Sequence, residues 1–279
     1  MATARIVTDS SADLTPEVVS DLGITVVPLQ VNLGTEMLSD GPSLRSADFY
    51  RRVIKSKAVL TISSPTARQF ATTYADLAKE TDDIVSIHLS AHLNGALQAA
   101  HRGRAGFLGR CQIQVIDSHL VSRALGILAG EAARAAQSGM HGSEIMRLVR
   151  GLIPRLYFVF YVETPDYLRR SGLLHVVRES VPGVPSIKPL LILEEGEITP
   201  LQRLRNRGRP TERLLEFVAE FATLKHLSVL HSGLGTDLSE FKTQLAELFP
   251  KQIIEEHIYG PTLGAYLGPA ALGVVAFEG

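Results

Sequence analysis

The sequence predicts an α/β fold: two α/β domains, the first with a mainly parallel sheet flanked by helices, the second with a mixed sheet. Three observations carry this. Strand-like and helix-like apolar patterns alternate along the 279 residues, as in βαβ units. Several strands of the first half run straight into acid and hydroxyl clusters, with a helix following. After about residue 155 a solid apolar strand and a hairpin break that rhythm. Hydrophobic residues make up 45% of the chain, ample for packed cores and incompatible with disorder.

The first strand, residues 5–8, ends in Asp9-Ser10-Ser11. A helix follows with Thr15 as N-cap, Pro16 at its first position and Gly23 as its stop. Residues 25–33 read as one strand, which Gly34 turns back into 36–38. Phe49, Val53 and Ile54 mark the apolar face of a helix capped by Ser46; Phe70, Tyr74 and Leu77 mark another, capped by Thr66. Residues 84–89 form a strand, followed by a small-residue helix over 94–106. Residues 113–116 form a strand ending in Asp117-Ser118. Leu125, Leu128, Ala132 and Ala135 line a helix that Gly139 ends; Ile145, Leu148, Val149 and Leu152 line one more. Beyond the change of pattern, 156–162 is a strand and Thr164-Pro165 opens a helix. Residues 187–193 and 197–204, joined across Glu195-Gly196, read as a β-hairpin. Helix 211–223, strand 227–231, helix 237–249 and strand 252–258 complete the order. The expected domains are 1–155 and 156–279, without repeats or low-complexity segments.

Composition excludes several function classes. The formal net charge is −1 with Lys and Arg scattered, which argues against nucleic-acid and membrane-surface binding. Cys111 is the only cysteine, so no intrachain disulfide or thiolate cluster is expected, and a cytoplasmic, reducing location fits. No signal peptide is expected, since Arg5 and Asp9 interrupt the first apolar run. Residues 263–277 are the longest apolar stretch, but at ~1.5 Å per helical residue they fall short of a ~30 Å hydrocarbon core. Gly264 and Gly268 there match a GxxxG spacing, read as close backbone packing. The histidines show no ligand spacing, so neither metal nor other cofactor is expected.

Three strands of the first half end in polar clusters: Asp9-Ser10-Ser11, Ser90 through Asn94-Gly95, and Asp117-Ser118. Parallel pairing places these along one sheet edge, where open α/β sheets bind ligands and helix N-termini favour anions. Thr61-Ile62-Ser63-Ser64-Pro65-Thr66 adds a fourth hydroxyl-rich loop. Each cluster also reads as a helix cap. A Ser-His-Asp triad needs no proximity in sequence, but a GxSxG elbow is lacking, and Gly233-Leu234-Gly235 is too short for a dinucleotide fingerprint. Arg203, Arg205, Arg207 and Arg209 alternate onto one face, a solvated edge or a docking surface for an acidic partner.

In order, the motifs Val7-Thr8-Asp9-Ser10-Ser11-Ala12-Asp13-Leu14, Leu22-Gly23-Ile24-Thr25-Val26-Val27-Pro28-Leu29, Ser86-Ile87-His88-Leu89-Ser90, Val115-Ile116-Asp117-Ser118, Tyr167-Leu168-Arg169-Arg170, Ile187-Lys188-Pro189 and Gly268-Pro269-Ala270-Ala271-Leu272-Gly273 span nearly the whole chain. This combination resembles the DegV family of bacterial fatty-acid-binding proteins. The resemblance implies a long-chain acyl tail, such as that of palmitate, in a cleft between the two domains, its carboxylate held by a threonine and a serine. It implies a carrier rather than an enzyme, in some members serving a fatty-acid kinase.

The sequence departs from that pattern at the ligand head. The family's Thr-Ser-Gln-Pro-Ser reads Ile62-Ser63-Ser64-Pro65-Thr66, and its Leu-Ser-Gly-Thr reads Leu93-Asn94-Gly95-Ala96. Leu173 stands for an arginine and Tyr266 for a histidine, whereas Arg169 and Arg205 match family arginines. Ile62 donates no hydrogen bond, and a buried carboxylate short of one donor is costly by ~1–3 kcal/mol. Asn94 and Tyr266 still donate, and Thr61 or Ser63 restores a hydroxyl after a register shift. The candidate ligand-binding set is therefore Ile62, Asn94, Thr61, Ser63, Gly95, Asp9, Ser10 and Tyr266, with Arg169 and Arg205 for partner docking. The loss of an arginine and a histidine weighs against a kinase partner. A carrier or sensor of a less acidic acyl ligand, and a serine-dependent acyl hydrolase using Ser10, Ser11 or Ser63, are the alternatives.

Overall fold

A computed structural model describes residues 3–173, 190–201, 209–234 and 238–279. Sheet A is wholly parallel, ordered β2 (Thr25–Val27), β1 (Arg5–Asp9), β6 (Asp83–His88) and β7 (Gln112–Asp117). Sheet B is a small antiparallel sheet of β4 (Glu36–Ser39), β3 (Gln30–Leu33) and β5 (Leu60–Ser63). Sheet C is mixed, ordered β10 (Glu197–Pro200), β9 (Leu190–Glu194), β8 (Leu156–Val162), β13 (Ala271–Glu278), β11 (Leu224–His231) and β12 (Ile254–Ile258).

The layers follow from which faces are apolar. Val7, Val27, Ile84 and Ile113 on one face of sheet A meet Phe70 and Tyr74 of α3 (Ala67–Leu77) and Ala99 and Ala100 of α4 (Ala96–Gly103). Ile6, Val85, Ile87 and Ile116 on the other face join a core with α5 (Arg123–Gln137) and α6 (Gly142–Leu152). That core does not stop at residue 155. Phe158, Phe160, Val275 and Phe277 of sheet C belong to it, so α5 lies between two sheets. The far face of sheet C, with Val159, Ile192, Val229 and Val274, is covered by α8 (Pro210–Val218) and α9 (Ser239–Leu248). Helix α5 is consequently buried almost all round, whereas a single apolar face was expected.

The local signals act as chemistry dictates. Thr15 caps α1 (Pro16–Leu22) by accepting the Val18 N–H, and Gly23 ends it at φ 62°. Ser46 caps α2 (Ala47–Ser56), and Thr66 forms a capping box with Gln69. The Glu195–Gly196 turn has φ of 50° and 86°, so two positive-φ residues join β9 to β10. Residues 187–189 and 202–204 of that expected hairpin lie outside the described residues.

Other expectations need correction. The single strand over 25–33 is two strands in different sheets, divided at Pro28-Leu29, because Pro28 cannot donate to a ladder. The helix over 94–106 is regular only at 96–103. Ile54 is exposed; Tyr50 replaces it on the buried face of α2. The apolar stretch 263–277 divides into α10 (Pro261–Leu267) and β13, and among the described residues no helix is long and apolar enough to cross a membrane.

The crowding of α5 gives a test. A Cβ at Gly126 would lie 2.4 Å from the Ala12 carbonyl oxygen, whereas one at Gly130 meets only the tip of Arg134 at 3.4 Å and a Leu22 methyl at 3.7 Å. Gly126→Ala is expected to destabilise the fold by about 1–3 kcal/mol through overpacking. Gly130→Ala is expected to be neutral or stabilising by about 0.5–1 kcal/mol through helix propensity. Chemical denaturation of the two variants checks the contrast.

Candidate functional site

The strand-end cluster at Asp9 is built into the framework. His88 Nδ1 lies 3.0 Å from Asp9 Oδ2, His88 Nε2 lies 2.7 Å from Ser86 Oγ, and Ser86 Oγ lies 2.8 Å from Tyr74 Oη. Asp9 also accepts the Leu89 N–H at 3.1 Å and the Ser11 hydroxyl at 2.5 Å. Ser86, His88 and Asp9 reproduce the connectivity of a catalytic triad, yet all three are fully buried beneath α3, where no substrate reaches the serine. Asp9 thus locks the ends of β1 and β6 together. Sequence reading missed His88 and Ser86, although their i, i+2 spacing on a strand was the available signal.

Beside them, two buried carboxylates share one guanidinium. Asp13 Oδ2 accepts from Ser122 Oγ at 2.5 Å and from the Gly260 N–H at 2.9 Å, and Asp13 Oδ1 lies 3.2 Å from Arg45 Nε. Asp40 Oδ2 accepts the hydroxyls of Ser10 at 2.9 Å and Thr262 at 3.0 Å, and Ser10 Oγ accepts the Leu29 N–H. Tyr50 donates to the Tyr259 and Gly260 carbonyls. Burial raises the Asp13 carboxyl against the pull of Arg45. Burial, with Asp13 adding to it, pushes Asp40 up to about 6. Ser10 therefore serves this network.

The rest of the strand-end edge is met by the chain's own hairpin. Ser90 Oγ donates to the Gly196 carbonyl at 2.6 Å, and a Cβ on Gly196 would sit 2.6 Å from Ser90 Oγ and 2.9 Å from His119 Nδ1. Only glycine fits there. Asp117 accepts the N–H groups of His119 and Ala91. A cleft of about 1070 Å³ opens alongside, with His92, Leu120, Leu156, Tyr157 and Phe221 among its lining and Glu194, Glu195, Glu220 and Glu278 at its rim.

The remaining candidates meet at the junction of β5, the turn before α4, and α10. Period-2 alternation divides β5: Leu60 and Ile62 face the core, while Thr61 and Ser63 are exposed on the opposite face, Ser63 accepting from Asn32. In the loop after β5 the hydroxyl beside the Asn94 turn is instead Ser64, whose Oγ lies 3.1 Å from where a Gly95 Cβ would be. Asn94 Oδ1 caps the Ala96 N–H at 3.1 Å, leaving its amide N–H₂ uncommitted among the described residues. Tyr266 of α10 donates to the Leu93 carbonyl. Leu173, Ile62 and Tyr266 pack against the common core. Among the described residues, this junction joins neutral donors to an apolar wall. Arg169, on α7 (Asp166–Arg170), is exposed and paired with Asp166 at 2.8 Å; Arg205 lies outside the described residues. Among the described residues no His, Cys, Asp or Glu group is arranged to hold a metal ion.

The family model described as uncharacterised protein, DegV family, matches residues 3–279. The chain belongs to the DegV family. A DegV domain-containing protein of Streptomyces coelicolor is 34% identical, covering 97% of this chain and 96% of the relative. One of Deinococcus radiodurans is 31% identical, with 96% of each covered. Among solved structures, DegV of Bacillus subtilis, described as a fatty acid binding protein, superposes with a TM-score of 0.88 over the full length of both chains at 24% identity. A stearic-acid-binding protein of Eubacterium ventriosum gives 0.84 at 21% identity, covering 98% of each chain. These neighbours share the layered fold. Of the two positions expected at a ligand head, Ile62 faces the core and Asn94 lies in the turn before α4.

The carboxylate pair makes stability pH-dependent in a stated direction. The Asp40 carboxyl rises from 3.8 to about 6 on folding, so its neutral form stabilises the fold fully below 3.8 and the benefit is lost as pH rises through about 6. Relative to Asp40→Asn, the natural protein is expected to gain roughly 2–3 kcal/mol between about pH 7 and about pH 4. Denaturant titrations of both proteins across that range measure the difference.

Proposed function

We propose that this chain is a non-catalytic, cytoplasmic carrier of a long-chain fatty acid, with the lobes 1–155 and 156–279 enclosing the acyl tail. The carrying observation is a pair of donors, Asn94 amide and Ser64 hydroxyl, uncommitted among the described residues, set beside Gly95 with the apolar Ile62 and Leu173 packed on the same core. An amphiphile needs that combination: a few fixed donors for its head and greasy walls for its tail. DegV proteins of known structure described as binding stearic acid and vaccenic acid support the ligand class. The acidic rim of the hairpin cleft repels a carboxylate, so the head group is assigned to the Asn94 end. Asp9, Ser10 and Ser11 serve the framework in this reading, and Thr61 and Ser63, on the outer face of β5, are left out of the head site. The serine that does lie beside a histidine and an aspartate, Ser86, is fully buried, which favours carriage over hydrolysis. Leu173 and Tyr266 weigh against delivery to a fatty-acid kinase.

One observation favours a second reading. The donors that the described residues supply at the junction are neutral, which suits an acyl ester or alcohol as well as a carboxylate. Native mass spectrometry of the purified protein is expected to show a co-purified acyl lipid. Calorimetry of delipidated protein is expected to show palmitate binding that weakens about tenfold on Asn94→Ala, as for the loss of one buried donor. Lipid-free protein indifferent to added palmitate defeats the carrier reading, and equal affinity for methyl palmitate establishes the neutral-head alternative.

A further inference from the structure

We propose that Tyr266 is a positioning residue that sets the donors of the acyl-head site without touching the ligand: its hydroxyl holds the Leu93-Asn94-Gly95 turn in the orientation that aims the Asn94 amide. The inference rests on the carrier reading for its ligand, and on geometry for its mechanism.

The turn has three fastenings. At its start, the Ser90 hydroxyl donates to Gly196 and its carbonyl accepts the N–H groups of Leu93 at 3.0 Å and Asn94 at 3.2 Å. In its middle, Asn94 Oδ1 accepts the Ala96 N–H, which fixes which side of the amide group faces away from the backbone. The third is Tyr266. Regular α4 begins only at Ala96, and among the described residues no backbone N–H reaches the Leu93 carbonyl. Leu93 is itself buried, so without Tyr266 that carbonyl would be unsatisfied. Removing the partner of a buried carbonyl costs about 1–3 kcal/mol, which a three-residue turn recovers by rotating.

Tyr266 is suited to this and unsuited to binding the head group directly. Its one hydroxyl hydrogen already points at Leu93, so it has no proton left to donate to a carboxylate. Burial pushes its phenol up to about 12, so it remains a donor throughout the ordinary pH range. Helix α10 holds the ring from below. Gly260 and Thr262 are tied to Asp13 and Asp40, and Ser171 donates to the Ala265 carbonyl at 3.1 Å. A side chain on α10, itself fastened to Asp13, Asp40 and Ser171, thereby orients a donor far from it in sequence.

The test is Tyr266→Phe, which keeps the ring and removes only the hydroxyl. In the ligand-free variant, amide hydrogen exchange at Asn94 and Ala96 is expected to speed up about fivefold, while amides of α5 keep their protection. Palmitate affinity is expected to fall about tenfold, and this loss is expected to vanish in an Asn94→Ala background, because the two residues act in series. Additive losses in the double variant, or unchanged exchange at Asn94 and Ala96, overturn the proposal. A natural protein that binds no acyl ligand defeats the carrier reading; the exchange measurement then still decides the role of Tyr266.

Discussion

Two carboxylates and one guanidinium, buried where residues 13–45 meet the segment 259–262, hold this structure in register. Asp13 and Asp40 face Arg45 with little water to screen them, an arrangement whose desolvation cost rivals its attraction. Further hydrogen bonds hold each participant, although Asp13 Oδ1, Asp40 Oδ1 and Arg45 Nε are buried without one. Asp13 collects a hydroxyl and a backbone N–H, Asp40 collects two hydroxyls, and Arg45 also donates to the Ser10 and Leu14 carbonyls. Asp13 and Ser122, bonded to each other, both hold positive φ, at 51° and 58°. Such strain survives only inside a network that fixes it from several directions. Helix α10 starts from this knot, and α10 brings Tyr266 to Leu93.

The knot also explains how the fold treats its strand ends. An open parallel sheet offers a polar crevice at its carboxyl edge. Here one part of that crevice is closed by the Asp9–His88–Ser86–Tyr74 chain and another by the Gly196 turn. The donors left uncommitted among the described residues lie farther along, where β5, which reads as a loop in the sequence, joins the expected β3–β4 pair and brings Ser64 beside Gly95. Of the polar clusters that stand out in the sequence, those at Asp9 and Asp117 are architectural, whereas the Asn94-Gly95 cluster and the hydroxyl-rich loop after β5 are brought side by side.

What was legible in the chain had local causes. Thr15, Pro16 and Gly23 define α1 through capping and backbone conformation alone. Glu195-Gly196 marks a tight hairpin because glycine accepts positive φ, and Pro28 marks a break in a strand whose meaning was overlooked. The illegible parts were decided at a distance. Nothing near residue 125 reveals that α5 faces a second sheet formed by strands from beyond residue 155. Ile54 carries the right periodicity but lies just beyond the reach of the core.

The sequence alone determined the alternation of strands and helices, their caps, the hairpin and membership of a family, because each depends on neighbours in the chain or on motif order. Tertiary structure alone decided which polar groups remain available. Thr61 and Ser63 are lost to the outer face by a period of two, Asp9 and Ser10 are consumed by partners 79 and 30 residues away, and Asn94, whose oxygen caps a helix, keeps its amide N–H₂ free among the described residues. Hydrogen-bonding capacity is a property of residue type; whether any of it is left over is a property of the packed chain.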